Sequence, residues 1–132
     1  IPAAQQTSGF VLDDGSGLSP RNQLSPRLLT DLLRFMFNHP QGRLYIRSLA
    51  TPGEEGTLKR RLTDLKGRLF AKTGYIAGVR TLSGYIRSRD GSWLCFAILF
   101  NGFRGSSAPY TRLQDQICRL LAQWTHTPSR PR

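Results

Sequence analysis

Residues 69–86, LFAKTGYIAGVRTLSGYI, hold the pattern that decides the fold. Their apolar and β-branched residues predict two strands, at roughly 68–76 and 79–87, with a short Ala-Gly turn between them. A third strand is predicted at 93–100, because an Asp-Gly pair before it is typical of a hairpin turn. The three segments predict an antiparallel β-meander whose first strand has an open edge.

Two helices are predicted to flank these strands. In the stretch 25–40, Ser25 suits an N-cap, Pro26 suits the first helical position, and apolar residues recur at helical spacing. The residues of its apolar face are Leu28, Leu29, Leu32, Leu33, Phe35 and Met36. A second amphipathic helix is predicted over 110–125. Its inward-facing residues are predicted to be Leu113, Ile117, Leu120, Leu121 and Trp124. Strands clustered together and flanked by helices predict an α+β fold.

The segments between these elements have weaker patterns. A second short apolar run followed by a turn lies at 44–56. A short helix is predicted over 57–65, with Leu58, Leu62 and Leu65 on one stripe. The loop at 13–22 is rich in Asp, Ser and Gly, which indicates a structural turn tied down by its own side chains.

The length of 132 residues suits one domain or a piece of one. The predicted division is an extension at 1–9, a domain at 10–124 and a tail at 125–132. The first residues lack an initiating Met and the pattern of a signal peptide, so the chain is expected to begin downstream of a natural start. No apolar run reaches the length of a membrane span.

The formal net charge of +11 favours an acidic partner, although a solvated basic surface is the simpler interpretation. Two cysteines, Cys95 and Cys118, are too few for a disulfide framework or a four-cysteine zinc site. Two buried thiols are favoured over one disulfide. His39 is interpreted as a helix terminator and His126 lies in the tail, so no metal site and no cofactor are predicted.

Lys72 is unusual because it stands inside an apolar, strand-like run. It either reaches water from a strand end or works in a cleft. Lys72 and Gly74 share one face of the strand, Thr73 offers a hydroxyl, and the amide of Tyr75 is free to donate if the strand borders a cleft. These are the parts that hold a carboxylate and stabilise an oxyanion.

The triplet Lys72-Thr73-Gly74 resembles the K-T-G motif of penicillin-recognising serine enzymes. Longer stretches resemble one branch, the D-alanyl-D-alanine carboxypeptidase/endopeptidases, also called class C low-molecular-mass penicillin-binding proteins. These stretches are DGSGLSPRNQLSP at 14–26, LATPGEEGTLKRRL at 49–62, AKTGYIAGVRTLSGYI at 71–86 and DGSWLCFAILFNGF at 90–103. The resemblance covers about residues 10–124 in the right order, and it implies a partial penicillin-binding or β-lactamase-like transpeptidase fold.

Two motifs of that family have no counterpart in this chain. No S-x-x-K is present, and the nearest segment, Thr63-Asp-Leu-Lys66, lacks a convincing nucleophile. No S-x-N is present either. Both elements precede the D-G-S-G-L loop in the family, so the chain is expected to be the C-terminal portion of such an enzyme and to be inactive alone. Tyr75 stands where the family usually has Ser or Thr, and its ring could crowd the cleft.

The resemblance implies roles for four residues. Lys72 would orient the S-x-N serine and favour an anionic substrate, Thr73 would bond the substrate carboxylate, and Gly74 would let the substrate lie along the strand. The Tyr75 amide would supply one oxyanion donor. The implied partners are a peptidoglycan peptide or a β-lactam, and the missing N-terminal part of the enzyme. The implied location is the periplasm or another extracytoplasmic space, at the cell wall.

Two other functions remain open at this stage. One is a basic α+β module that binds nucleic acid. Its strands lack the aromatic pairs set among basic residues that are typical of an RNA-recognition sheet, so nucleic acid is not the expected partner. The other is a non-catalytic scaffold that keeps the same fold for interaction only.

Overall fold

A computed structural model of the chain describes residues 9–126. The predicted extension and tail lie outside the described residues, apart from 9, 125 and 126. The described part contains three α-helices and one three-stranded antiparallel sheet, so the predicted α+β class is confirmed. No helix within it is long and apolar enough to cross a membrane.

The sheet is the meander that the strand pattern predicted. Its strands are β1 (Leu69–Ile76), β2 (Val79–Arg87) and β3 (Trp93–Asn101), in the order β1-β2-β3. Ile76 pairs with Val79, so Ala77 and Gly78 form a two-residue turn, in which Gly78 adopts a φ of +72° that favours glycine. The register places alternate residues of all three strands on the same face.

Helices cover the two faces of the sheet. Helix α1 (Pro26–Phe37) begins at Ser25, whose Oγ accepts a hydrogen bond of 3.1 Å from the Leu28 amide. A further helix, α2 (Gly42–Ser48), follows it. Helix α1 lies against one face of the sheet, and α2 packs on α1 and places its Tyr45 ring edge-on to Tyr85 of that face. The hydroxyl of Tyr85 donates to the carbonyl of Leu33 over 2.6 Å and fastens α1 to that face, and burial raises the pKa of Tyr85.

The opposite face packs on helix α3 (Ala108–Gln123) and holds the main core. The core residues are Leu58, Leu62, Leu65, Leu69, Ala71, Leu82, Ile86, Phe96, Cys118 and Ala122. The predicted inward face of α3 was therefore partly wrong. Leu121 packs on the core and Ile117 is half-buried, but Leu113, Leu120 and Trp124 are exposed, Leu120 by 72%. The buried α3 residues are Gln114, Cys118 and Ala122. Of these, Cys118 and Ala122 are small and both are 0% exposed.

Two other sequence-based predictions need correction. The segment 57–65 is not a continuous helix, because only a short 3-10 helix forms over Thr63–Leu65. Leu62 precedes it with a φ of +54°, a left-handed conformation that interrupts any α-helix and costs about 1–2 kcal/mol. This irregular path places the predicted stripe of Leu58, Leu62 and Leu65 in the core. On α1, Phe35 is exposed rather than inward-facing.

Both cysteines are free thiols, as favoured from the sequence. Cys118 is buried between α3 and the sheet, whereas half-buried Cys95 lies on the other face, with its Sγ 3.8 Å from the Thr30 carbonyl of α1. The sheet stands between the two thiols, so they cannot form an internal disulfide without unfolding.

Candidate functional site

The outer edge of β1, the side that faces away from β2, is closed only near the start of the strand among residues 9–126. The Leu69 carbonyl accepts a hydrogen bond of 2.9 Å from the Thr51 hydroxyl. Ala50 and Ala71 exchange backbone hydrogen bonds of 2.9 and 3.1 Å. Ala71 thus directs its N–H and C=O away from β2, and strand alternation directs those of Thr73 and Tyr75 the same way. The Tyr75 amide therefore points out of the sheet at an open edge, where an extended chain can pair with it.

Lys72 places its ammonium group at this same edge. The side chain is exposed, and its Nζ donates a hydrogen bond to the carbonyl oxygen of Thr73, which points outward from β1. Lys72 is thus solvent-accessible, although it lies inside β1 rather than at a strand end, and its charge lies along the backbone edge of Thr73. Lys72 and Gly74 share the α1 face of the sheet, as strand alternation predicted.

Thr73 has its side chain on the opposite face from Lys72. It is only 8% exposed, and it lies beside Leu82, its β2 partner, on the α3 face. The Lys72 ammonium and the Tyr75 amide therefore lie along the same edge of β1, whereas the Thr73 side chain lies on the opposite face of the sheet.

Gly74 has a packing reason to be glycine. A Cβ at this position would lie under 3.0 Å from the Oγ1 of Thr81, its neighbour on β2. The space beside Gly74 on the α1 face is thus occupied by Thr81.

Tyr75 projects its ring to the α3 face, away from Lys72 and Gly74. The ring is 62% exposed, and the guanidinium of Arg80 lies 5.3 Å from its centroid in a cation–π arrangement. The crowding expected from this ring is thus directed away from the face that Lys72 occupies. The backbone amide of Tyr75 lies at the outer edge of β1 regardless of where its side chain points.

The loop at 13–22 uses its polar groups internally, as predicted. The carboxylate of Asp14 accepts hydrogen bonds from Ser16 Oγ, Asn22 Nδ2 and the Gly17 amide. The hydrogen bond from Ser16, and after it in size of effect the one from Asn22, lower the pKa of Asp14 to about 2. Asp14 is therefore an ionised organiser of the loop and has no spare proton to offer near neutral pH.

Other candidate sites are sparse in the described part of the chain. No group of His, Cys, Asp and Glu side chains there could hold a metal ion. His39 accepts a hydrogen bond of 3.1 Å from the Gln41 amide after α1, which fits its interpretation as a helix terminator. A hollow of about 550 Å³ lies at the C-terminal end of α1, and a second lies between the 3-10 helix and α3. Residues 72–75 line neither hollow.

A buried polar cluster was missed in the sequence. Arg61 Nη2 donates to Asp115 Oδ1 over 2.6 Å and to Gln114 Oε1 over 3.2 Å, although more than 50 residues separate Arg61 from its partners. No pattern in the sequence indicated this cluster, because Arg61 belongs to the basic run KRR at 59–61, whose simplest interpretation is a solvated surface.

Comparisons with known proteins agree on one family. The sequence model of the D-Ala-D-Ala carboxypeptidase 3 (S13) family matches residues 4–124. The chain is 39% identical over 125 residues to a D-alanyl-D-alanine carboxypeptidase of Actinomadura sp., covering 89% of this chain and 23% of that protein. It is 28% identical over 97 residues to D-alanyl-D-alanine carboxypeptidase DacB of Haemophilus influenzae, covering 70% of this chain and 20% of that protein.

A solved structure shares the fold. Penicillin binding protein 4 from Haemophilus influenzae superposes with a TM-score of 0.77 at 24% identity, covering 87% of this chain and 28% of that one. The same protein has also been solved in complex with a β-lactam. The chain thus spans about a quarter of the length of the proteins it matches.

Proposed function

The chain belongs to the D-Ala-D-Ala carboxypeptidase 3 family, and from this premise we propose that it is the C-terminal, substrate-holding part of a serine D-Ala-D-Ala carboxypeptidase or endopeptidase. Its substrates are the stem peptides of peptidoglycan, and β-lactams bind at the same edge. The observation that carries the proposal is the open outer edge of β1 beyond Ala71, along which the Lys72 ammonium and the outward-pointing Tyr75 amide both lie.

At this edge, the substrate adds to the sheet as an extended chain. Its backbone pairs with the outward N–H and C=O groups of Thr73 and Tyr75. The Tyr75 N–H then points at the carbonyl oxygen of the bond to be cleaved and donates to it as negative charge develops. Removal of one such donor typically lowers kcat by about 10²–10³-fold.

Lys72 supplies a positive charge at the same place. At a separation of 4 Å, attraction between its ammonium and a carboxylate is about 1 kcal/mol in bulk water and about 4 kcal/mol at an effective dielectric constant near 20. If the remainder of the enzyme covers this edge and excludes water, the attraction between the Lys72 ammonium and a substrate carboxylate therefore becomes stronger. In this role, Lys72 exchanges its hydrogen bond with the Thr73 carbonyl for one with the substrate or with the S-x-N serine.

Thr73 binds the terminal carboxylate of the substrate after its hydroxyl turns towards the edge, and Gly74 keeps β1 flat against β2. The S-x-x-K serine comes from outside this chain. It attacks the carbonyl carbon, the D-Ala amine leaves with a proton, and water then cleaves the acyl-enzyme ester. A segment with that serine is the proposed partner, and the proposed location is extracytoplasmic, at the cell wall.

A chimera tests the proposal. Residues 10–124 replace the matching segment of the Actinomadura carboxypeptidase, which supplies the nucleophile, and release of D-alanine from an acyl-D-Ala-D-Ala peptide is measured. We expect an active chimera, and Lys72→Met should lower its kcat/KM by about 10²-fold or more. The 132-residue chain alone should give no covalent band with fluorescent penicillin.

Lys66→Met is the matched control, because Lys66 is also an exposed lysine but lies outside β1. It should leave kcat/KM within about threefold of the parent chimera. Circular dichroism of each variant verifies that it is folded. A folded Lys72→Met chimera with the activity of the Lys66→Met chimera would exclude the proposed role of this edge.

A further inference from the structure

We propose that Arg80 binds the free carboxylate at the C-terminus of the substrate and so selects a leaving residue whose carboxyl group is not blocked. This inference rests on the proposed function of the β1 edge, to which it adds a specificity-determining residue. It is based on the position of the Arg80 guanidinium, which lies 5.3 Å from the centre of the Tyr75 ring. The backbone amide of the same Tyr75 points out of the edge.

This contact brings a positive charge from β2 to the edge strand. Arg80 and Tyr75 are partners across β1 and β2, and both side chains lie on the α3 face. The Tyr75 ring is 62% exposed, so the guanidinium meets it at the open side of the sheet and not in the core. Helix α3 packs mainly on β2 and β3, and a ligand can therefore approach the pair from the outer edge of β1.

Arg80 has no anionic partner within residues 9–126. Its side chain makes no hydrogen bond or ion pair there, and of its three guanidinium nitrogens only Nε is a buried atom without an acceptor, so the two terminal nitrogens reach solvent. Desolvation, followed by the nearby positive charge of Arg61, lowers the pKa of Arg80, and Asp115 already binds Arg61 over 2.6 Å. A substrate carboxylate would supply the missing negative charge, and a guanidinium binds a carboxylate with two parallel hydrogen bonds.

The substrate at the β1 edge ends close to this guanidinium. The carbonyl of the bond to be cleaved accepts from the Tyr75 amide, and only the leaving residue follows it, which spans at most about 3.6 Å along the chain. Thr73 lies on the same α3 face, so Thr73 and Arg80 can bind one carboxylate from the same side. Lys72 lies on the opposite face and therefore stays available for the S-x-N serine.

The chimera described above tests this assignment with two substrates, an acyl-D-Ala-D-Ala peptide and the same peptide with a C-terminal amide, from which release of D-alanine or D-alaninamide is measured. Arg80→Met should lower kcat/KM for the free acid by about 10–100-fold, because a charge-assisted pair is lost, and should change kcat/KM for the amide by less than about threefold. Arg87→Met is the matched control, because Arg87 is an exposed arginine of the same strand but lies at its other end, on the α1 face. It should leave both values within about threefold of the parent chimera.

The two substrates separate this inference from the proposed function. Equal losses for the acid and the amide in Arg80→Met would overturn the inference, because they would assign Arg80 a structural role, and unchanged hydrolysis of both would overturn it too. Lys72→Met should lower the hydrolysis of both substrates. A Lys72→Met chimera of full activity therefore contradicts the proposed function, whereas an Arg80→Met chimera of full activity contradicts the carboxylate assignment alone.

A second measurement requires neither an active chimera nor a folded variant. In the wild-type 132-residue chain, the side-chain ¹H–¹⁵N signal of Arg80 Nε should shift when the free-acid peptide is added and should stay fixed at equal concentrations of the amide. Equal responses to the two peptides, or no response to either, would overturn the inference.

Discussion

Replacement of Gly74 by alanine should destabilise the sheet, because the added Cβ would collide with Thr81. This Cβ would lie under 3.0 Å from the Thr81 Oγ1, which is closer than real Cβ contacts occur. The two residues face each other across β1 and β2, so the clash is relieved only if Thr81 turns or a strand bends. Overpacking costs about 1–3 kcal/mol, and the change from glycine to alanine recovers about 0.4–1 kcal/mol of unfolded-state entropy. The expected net loss is about 1–2 kcal/mol in the free energy of unfolding.

A double-mutant cycle isolates this contact. Urea unfolding is followed by circular dichroism for Gly74→Ala, Thr81→Ala and the double variant. Thr81→Ala removes the obstructing hydroxyl, so the double variant should be no less stable than Thr81→Ala alone. The resulting coupling energy is about 1–2 kcal/mol. Gly15→Ala is the matched control, because a Cβ there has no atom within 4 Å, and it should not lower the stability.

Strict additivity of the two changes would refute the packing explanation for Gly74, as would a Gly74→Ala variant of undiminished stability. The Thr81→Ala variant and the double variant, made in the chimera and assayed for D-alanine release, separate a packing role of Gly74 from a role in substrate binding. If Gly74 serves packing alone, then the double variant should keep the activity of Thr81→Ala.

The remaining predictions concern the core and its response to pH. Leu82→Ala should lower the free energy of unfolding by about 2–5 kcal/mol, because Leu82 is fully buried. Leu120→Ala on α3 should change it by less than about 0.5 kcal/mol, because Leu120 is exposed. Equal losses of stability in urea unfolding would instead support the prediction of an inward-facing Leu120. Burial raises the pKa of the Cys118 thiol to about 12, so the folded state favours the neutral thiol. The resulting contribution to the free energy of unfolding is complete below pH 9. It decreases as the pH rises from 9 towards 12, because the unfolded chain then loses the thiol proton more readily than the folded one. Between pH 9 and 10, the wild type should lose up to about 1.4 kcal/mol per pH unit more than Cys118→Ala in urea unfolding, and parallel losses would contradict this.

Much of the fold was predictable because it depends on local signals. The Asp-Gly and Ala-Gly turns set the hairpins, and the observed strands agree with the predicted ones to within one residue. Ser25 and Pro26 marked the start of α1 correctly. The inward side of α3 was harder to predict, because a helix with apolar residues on more than one side does not reveal which side packs. The side that packs carries Gln114, Cys118 and Ala122, whereas Leu113 and Leu120 stay exposed.

The candidate site was predictable in part. Strand alternation was enough to place Lys72 and Gly74 on one face, and hence Thr73 on the other. It could not reveal that Thr81 fills the space beside Gly74, because this depends on the register of β1 with β2. It also could not reveal the cluster around Arg61, because residues from the loop before β1, from β2 and from α3 meet there only after folding.

The position of the sheet between the two thiols has a consequence for handling the chain in air. Cys118 is fully buried, so oxidants reach Cys95 first, and each molecule offers a single site for covalent linkage. A folded sample stored without reductant can therefore form disulfide-linked dimers through Cys95, but it cannot form longer covalent chains. A ladder of larger species on a non-reducing gel would show that unfolded molecules, with Cys118 exposed, are present in the preparation.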